Sequence, residues 1–389
     1  MALVPFSYNL RSMFVRKSAT LLTIVSIAAT VAVLCGVLAL EQGFDSLFKE
    51  GGRDGILVFL RPGASSEGES YFPRDRADIL IKSCSEIEEG ADGRPLASAE
   101  MYLAVRLKKL DGSETNVPIR GVQQRSFDLA GEMMTFVSGR RPEQGTNEIA
   151  VGRGLAGRVQ HCVEGDVLTF NTTPFQVVGV FEYDGPFRSE IWGDVDRMQE
   201  ALERPIFSRV IAKMRDGVDV TAFKQRLEKD PQTPAKVMTE TEYLSGQTAM
   251  LSGMLLALGA ILGTVMGVAA VFTGTNTMLS AIASRTHEIG ILLSVGFRRY
   301  SIFLGFLLEA LLLGLFGGIL GSMLSFFLNG VETGTTNWNT FTEVAFAFRI
   351  TPNLLAKAVG FASLLGLLGG LWPAWRAASM KPTDAMRRQ

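Results

Sequence analysis

The sequence predicts an α-helical membrane protein with four transmembrane helices, both termini in the cytoplasm, and a large α+β extracytoplasmic domain between helices 1 and 2. Three observations predict this class. Of the 389 residues, 47% are hydrophobic, and they are concentrated in four long segments. Basic residues cluster beside alternate ends of these segments. The longest hydrophilic stretch, residues 50–238, lies between the first and second segments.

Four charge-poor segments are long enough to cross a bilayer, which takes about 20 predominantly apolar residues. They cover residues 19–40, 243–284, 300–331 and 358–375. The third contains one charge, Glu309, and the others contain none. With their extensions they predict helix 1 with a stalk at 19–49, a stalk with helix 2 at 239–284, helix 3 at 300–328 and helix 4 at 353–375.

The second segment is too long for a membrane span alone. As a helix it would extend about 60 Å, roughly twice the hydrocarbon thickness. Together with the outward continuation of helix 1 it predicts a paired stalk beneath the extracytoplasmic domain. The alternative is that its outer end is unwound loop.

The distribution of lysine and arginine sets the predicted orientation, because basic residues accumulate on the cytoplasmic side. The flanking basic residues are Arg11, Arg16, Lys17, Arg285, Arg298, Arg299, Arg376, Lys381, Arg387 and Arg388. They predict a cytoplasmic amphipathic helix at 1–18, a cytoplasmic segment at 285–299, a cytoplasmic tail at 376–389, and a short outer loop at 329–352. A cleaved signal peptide is the alternative for the N-terminus, but its apolar run is long enough to span.

The hydrophilic stretch 50–238 alternates strand and helix patterns, which predicts the α+β domain. The predicted strands are 56–60, 101–110, 117–122, 167–170, 175–181 and 209–214. The predicted helices are 152–159, 194–203 and 220–229. Residues 62–73 predict a loop, and Asp111 followed by Gly112 predicts a hairpin turn.

The segment 284–299, SRTHEIGILLSVGFRR, predicts a short amphipathic helix at the membrane surface. At helical spacing its apolar side comprises Ile289, Leu292, Leu293 and Val295. Its other side comprises Thr286, His287, Gly290 and Ser294. Arg285 and Glu288 are spaced to pair, and Gly290 and Gly296 permit close approach or a turn. The alternative is a simple loop with flanking positive charges.

Small and polar residues within the spans predict how the helices pack. Glycines at four-residue spacing let helices approach backbone to backbone. They include Gly259, Gly263, Gly267, Gly317, Gly318 and Gly321. Because an intramembrane carboxylate is costly to bury, Glu309 predicts an interhelical hydrogen bond. The alternative is a protonated or snorkelling side chain near the inner interface.

Catalytic, cofactor and metal sites are not predicted in this chain. A phosphate-binding loop ends in Gly-Lys, which occurs nowhere in the sequence, so ATP hydrolysis needs another protein. The two histidines, His161 and His287, fall on opposite sides of the membrane in the predicted topology. Cys84 and Cys162 lie outside the membrane, where they form either a disulfide or two free buried thiols.

Four motifs resemble the permease subunits of the MacB/FtsX/LolC group of ABC transporters, the type VII or mechanotransmission family. Residues 276–299, NTMLSAIASRTHEIGILLSVGFRR, resemble that group's pattern of Asn, ERTREIG, LRALGA and basic residues. Here Ser284 replaces the usual acidic residue, and His287 occupies the variable position. The others are LLEALLLGLFGGILG at 307–321, PAWRAASMKPTDAMRR from Pro373, and the stretch from Asn147 with its VVGV strand.

The resemblance implies a non-catalytic permease of the bacterial inner membrane. A cytoplasmic ABC ATPase dimer would carry ATP and Mg²⁺, and the partner permease would be a second copy or a related chain. A periplasmic adaptor would complete some such machines, and nucleic acid plays no part. The implied ATPase-coupling residues are Arg285, Thr286, Glu288, Ile289, Gly290, Leu293 and Gly296, with Ile289 and Leu293 seated in the ATPase groove. The implied function is extrusion or release of a lipoprotein, lipid, peptide or drug-like substrate, and the alternative is FtsX-like regulation of a cell-wall hydrolase.

Overall fold

The computed structural model describes residues 17–49, 51–337 and 342–381. The helix predicted at 1–18 and most of the predicted tail therefore lie outside the described residues. The chain divides into two compact units. The membrane unit comprises the described parts of 1–43, 253–331 and 347–389, and the ectodomain comprises those of 44–252 and 332–346.

The helices and strands are numbered along the chain. The helices are α1 Lys17–Lys49, α2 Arg74–Ser83, α3 Gln124–Ala130, α4 Arg153–Ala156, α5 Val195–Ala201, α6 Val220–Glu228, α7 Glu240–Ser284, α8 Thr286–Ser294, α9 Arg299–Phe326 and α10 Pro352–Ala378. The strands are β1 Ile56–Leu60, β2 Ala97–Lys108, β3 Glu114–Val122, β4 Met134–Gly139, β5 Glu148–Gly152, β6 Val167–Phe170, β7 Thr173–Tyr183, β8 Ile191–Asp194, β9 Arg209–Lys213, β10 Lys236–Thr239, β11 Glu332–Asn337 and β12 Thr342–Ala347.

Four of the described helices, α1, α7, α9 and α10, are long and apolar enough to cross a membrane. They correspond to the four segments that the sequence predicts. Helix α7 runs without a break from Glu240 to Ser284, so the outer end of this segment is helical rather than unwound. Helix α10 begins at Pro352, where the Thr351 hydroxyl accepts a hydrogen bond from the Leu354 amide at 3.2 Å and caps the first turn.

The predicted packing glycines of the membrane unit form two groups, and those of α9 are packed more closely than those of α7. A Cβ added to Gly317, Gly318 or Gly321 would lie 2.8 Å from Ile27, 2.7 Å from Ala362 or 2.6 Å from the Ala28 carbonyl oxygen. At Gly259, Gly263 and Gly267 the nearest atoms are leucine side chains at 3.5, 3.3 and 3.2 Å. The α9 glycines therefore permit close packing against backbone and Cβ atoms, whereas those of α7 face the ends of leucine side chains at ordinary to slightly tight distances.

The ectodomain is built on one ten-stranded sheet. Its strand order is β10, β1, β9, β2, β3, β8, β5, β7 and β4, and β6 pairs with β7. The long strand β2 pairs with β9 through its first residues and with β3 through its later ones, so it joins two halves of the sheet. The apolar core lies between this sheet and helices that include α2 and α6.

The six predicted ectodomain strands are present, and four others were missed. The missed strands β4, β5, β8 and β10 are short, and three of them include a glycine, which weakens an alternating pattern. The helix predicted at 152–159 is only the single turn Arg153–Ala156. The connection predicted as a loop at 329–352 contains the two-stranded sheet of β11 and β12.

Candidate coupling surface

Helix α8 is a separate short helix between two of the spans. The chain leaves helical geometry at Arg285, where φ is −110°, and α8 follows at once. At the other end, the Gly296 amide donates to the Leu293 carbonyl and the Phe297 amide donates to the Leu292 carbonyl. This double hydrogen bond ends a helix when the residue after the cap adopts positive φ, and Gly296 has φ +101°. The predicted turn at Gly296 is thus present.

One side of α8 packs against helices of its own chain. Ile289 is 2% exposed and belongs to an apolar cluster with Ile282, Ile302 and Phe306, and Leu292 and Leu293 pack against the same cluster. Gly290 is also buried. The predicted seat of Ile289 in a partner's groove is therefore wrong, because its side chain is already covered within the membrane unit.

The other side of α8 is open. Ile291 is 46% exposed and Val295 is 74% exposed. His287, Glu288 and Ser294 are exposed beside them. The sequence placed Val295 on the apolar side and Gly290 on the polar side, and both assignments are wrong. Val295 lies at the cap beyond the helix, whereas Gly290 shares the spacing of the half-buried Thr286 and Leu293, three or four residues away.

An ion pair ties the start of α8 to a span. Arg285 Nη1 donates to Glu309 Oε2 at 3.3 Å, and both side chains are buried. The hydrogen bond predicted for Glu309 therefore reaches the junction between α7 and α8. Thr286 adds a local contact, because its hydroxyl donates to the Ala283 carbonyl at 2.9 Å. The junction is held from two neighbouring positions.

A second group of buried charges lies in the ectodomain and was not found from the sequence. The arginine cluster comprises Glu67, Glu100, Arg120, Glu190 and Arg209, all at most 5% exposed. Arg120 donates to Glu190 through Nε at 2.7 Å and Nη2 at 2.9 Å, and to Glu67 at 2.6 Å. Arg209 donates to Glu100 at 2.8 Å and to Glu67 at 2.9 Å. The sequence feature that could have indicated this cluster is the arginine beside apolar residues in each of the strands β3 and β9.

Three carboxylates share two guanidinium groups in this cluster, so the acids compete for positive charge. Burial opposes ionisation of Glu100, but the charges of Arg209 and Arg120 outweigh it and lower its pKa. Burial dominates at Glu190 and raises its pKa, although Arg120 acts in the opposite direction. The Trp192 indole also donates to Glu190 at 2.8 Å.

Cys84 and Cys162 are both free and buried in the ectodomain core. The disulfide considered from the sequence is therefore wrong, and the second alternative, two buried thiols, describes the structure. Burial raises the pKa of both thiols, that of Cys162 to about 12. Within the described ranges, no group of three or more His, Cys, Asp or Glu residues is placed to hold a metal ion.

Four apolar helices, a short helix that follows the second of them in the chain, and an α+β domain after the first are the features that the resemblance to ABC-type membrane permeases predicts. Comparison with known proteins supports this class. Residues 20–230 match the family described as MacB-like periplasmic core domain, and residues 260–382 match the FtsX-like permease C-terminal family. The chain belongs to the MacB/FtsX-type family of ABC transporter permeases, as its motifs predicted.

The similar curated proteins include larger MacB chains. The macrolide export ATP-binding/permease protein MacB of Escherichia coli is 24% identical over 402 residues, which cover 97% of this chain and 59% of that protein. The Aeromonas hydrophila protein named MacB 2 is 28% identical over 414 residues, which cover 98% of this chain and 60% of that protein. The chain thus spans about 60% of the length of these relatives.

Solved structures of extracytoplasmic regions are also similar. The periplasmic region of MacB from Actinobacillus actinomycetemcomitans aligns with a TM-score of 0.38 and 14% identity, covering 50% of this chain and 92% of that one. The extracellular domain of YknZ from Gram-positive bacteria aligns with a TM-score of 0.35 and 12% identity, covering 47% of this chain and 98% of that one.

Proposed function

We propose that this permease passes the conformational change of a partner ATPase to its extracytoplasmic domain and thereby drives extrusion or release of a substrate. ATP and Mg²⁺ belong to that cytoplasmic ATPase dimer, and a second permease copy or a related permease completes the pair. The protein would lie in the bacterial inner membrane with both termini inside. The substrate class is lipoprotein, lipid, peptide or drug-like molecule, and a periplasmic adaptor would receive it in some assemblies.

The observation that carries this proposal is the division of α8 into a covered side and an open side. Ile289 is packed against the spans, whereas Ile291 and Val295 are exposed. A short helix fixed on one side to a bundle can transmit a rigid-body displacement applied to the other, whereas a flexible loop would absorb it. The open side is therefore the proposed docking surface for the ATPase.

The other positions of the predicted coupling set contribute to coupling in a different way. Ile289, Gly290 and Leu293 seat α8 on the spans, and Arg285 fixes its start through Glu309. Gly296 ends α8 before α9 begins. Glu288 is exposed beside Ile291, which supports a direct contact of this side chain with the partner.

The test compares two exposed apolar positions with one buried position. Ile291→Asp should weaken binding of the co-purified ATPase, because loss of an interface anchor costs about 2 kcal/mol, roughly thirtyfold in affinity. Val163→Asp makes the same change at a 48% exposed ectodomain residue and should leave binding unchanged. Ile289→Asp should instead lower the yield of folded protein. ATPase binding and stimulation would be measured in nanodiscs.

If the Ile291→Asp permease is folded and still binds and stimulates the ATPase as strongly as wild type does, the proposed docking surface is contradicted. Transport is tested in the same assembly. If the coupled complex activates a cell-wall hydrolase and moves no substrate, the FtsX-like regulatory role replaces extrusion.

A further inference from the structure

The first turns of α7 belong to the ectodomain and are attached to it at three positions on one helix face. Glu240, Tyr243 and Gln247 are spaced by three and four residues, which places them on the same side of an α-helix. All three side chains are buried. Helix α7 also follows directly after β10, which pairs with β1 in the sheet. The start of this membrane helix is therefore held by both backbone and side chains.

The first attachment is an ion pair at the beginning of the helix. Arg53 binds both carboxylate oxygens of Glu240, with its Nε 2.7 Å from Oε2, and its backbone amide donates to the same oxygen at 2.9 Å. Arg53 Nη1 also donates to the Leu129 carbonyl at 2.8 Å. A bidentate contact of this kind fixes orientation as well as distance. Glu240 is thereby tied to two other parts of the ectodomain.

The second attachment joins α7 to the arginine cluster. The Tyr243 hydroxyl donates to Glu67 Oε1 at 3.1 Å. That carboxylate also accepts from Arg209 at 2.9 Å and from Arg120 at 2.6 Å. Because Arg209 lies on β9 and Arg120 on β3, Glu67 connects the helix to two strands of the sheet. One turn further on, Gln247 Nε2 donates to the Ser65 carbonyl at 3.3 Å.

We propose that Glu240 and Tyr243 are positioning residues of a rigid joint, which makes the ectodomain follow the movement of α7. The inference rests on the proposed function and assigns the arginine cluster a role within it. Helix α7 continues without interruption to Ser284, directly before Arg285 and α8. A fully buried network of charge-assisted hydrogen bonds is stiff, because no water replaces a contact that is lost. Displacement of the helix is then passed to β3 and β9 instead of being absorbed at Glu240.

The decisive variant removes the joint and leaves the rest of the cluster in place. Tyr243→Phe combined with Glu240→Gln abolishes the hydroxyl contact and weakens the ion pair, but it retains the contacts of Arg120 with Glu190 and of Arg209 with Glu100. Tyr243→Phe alone is the milder second variant. Arg140→Gln is the matched control, because it breaks an exposed ion pair with Glu148 elsewhere in the same unit.

The measurement is the distance distribution between spin labels at Gln176→Cys, an exposed position on β7, and Met250→Cys, an exposed position on α7. The full chain would be studied in nanodiscs without any ATPase. The native cysteines are buried, and the chain without added cysteines gives the labelling background. Wild type and Arg140→Gln should each show one narrow distribution. The double variant should show a broad distance distribution instead. Thermal unfolding would confirm that its ectodomain remains folded.

The proposed joint would be overturned by a broad distance distribution in wild type, or by distributions in both Tyr243 variants that are as narrow as that of wild type. Addition of the ATPase then tests the two proposals separately. The double variant should retain nucleotide hydrolysis but lose nucleotide-dependent displacement of the ectodomain. If the ATPase does not bind wild type at all, the proposed function fails while the distance result on the joint still stands.

Discussion

The ectodomain buries two arginines and three glutamates in one connected cluster, whereas the described part of the membrane unit relies on close glycine packing and the ion pair of Arg285 with Glu309. In the cluster, each arginine contacts at least two carboxylates at 2.6 to 3.1 Å. The membrane pair is longer, at 3.3 Å. The ectodomain therefore adds mutually dependent polar contacts to its apolar core, whereas the spans pack mainly through small residues and apolar side chains.

This difference in packing indicates which parts of the molecule can rearrange. Displacing one member of a buried charge network leaves its partners without compensation, so the network has one favoured arrangement. Glycine surfaces let helix backbones approach closely, and packed helices are elements that shift against one another by small sliding movements. We infer that motion is concentrated among the spans and that the ectodomain moves as one body.

The largest effect is expected from Arg120→Met. Removing one partner of a buried ion pair costs about 3–5 kcal/mol, because the opposite charges remain buried without compensation. Glu67 and Glu190 would both lose their contacts with Arg120. The free energy of unfolding would be measured by denaturant titration of the full chain, followed by tryptophan fluorescence, to which the buried Trp192 contributes. Arg140→Met, which breaks an exposed pair, should cost about 1 kcal/mol or less. Equal losses in both variants would remove the distinction between the two kinds of ion pair.

Close glycine packing predicts the next effect. A Cβ at Gly370 would lie 2.2 Å from the Ala310 Cβ, whereas a Cβ at Gly360 of the same helix would meet nothing within 4 Å. Gly370→Ala should destabilise the membrane unit by about 1–3 kcal/mol through overpacking. Gly360→Ala should be neutral or stabilise it by up to about 1 kcal/mol, because alanine favours the helix. Thermal unfolding in detergent measures both, and a harmless Gly370→Ala would show that the helices separate easily.

The Glu309 carboxylate offers a finer test of the membrane pair. Glu309→Gln keeps an oxygen that accepts from Arg285, whereas Glu309→Leu leaves a buried donor without it. Glu309→Leu should therefore be less stable than Glu309→Gln by about 1–3 kcal/mol. Ser322→Ala in the same helix is the control, because the buried Ser322 hydroxyl has no hydrogen-bond partner among the described residues. Equal stability and equal ATPase stimulation in both Glu309 variants would show that the contact is incidental.

The sequence predicted the positions of the membrane spans well, because a single pattern decides each of them. Span length and charge located α1, α7, α9 and α10, because each must satisfy its own backbone within lipid. The burial of a particular side chain depends on tertiary packing, and the sequence predicted it wrongly at Gly290 and Val295. Periodicity could not show that Ile289 belongs to one buried cluster with Phe306. Likewise, Glu67 lies in the loop that was predicted at 62–73. The sequence around it does not indicate that its ion-pair partners, Arg120 and Arg209, come from the distant strands β3 and β9.

The smallest effect concerns the ectodomain core outside the arginine cluster. Burial raises the pKa of Cys162 to about 12. Because the thiolate is the reactive form, maleimide labelling of Cys162 in the folded chain should stay slow between about pH 7 and pH 9. The unfolded chain should label fully without reductant, since all three cysteines are free. Mass spectrometry of labelled peptides measures both rates. Rapid labelling of folded Cys162 would show that this part of the ectodomain opens locally, and the inference that the ectodomain moves as one body would then fail.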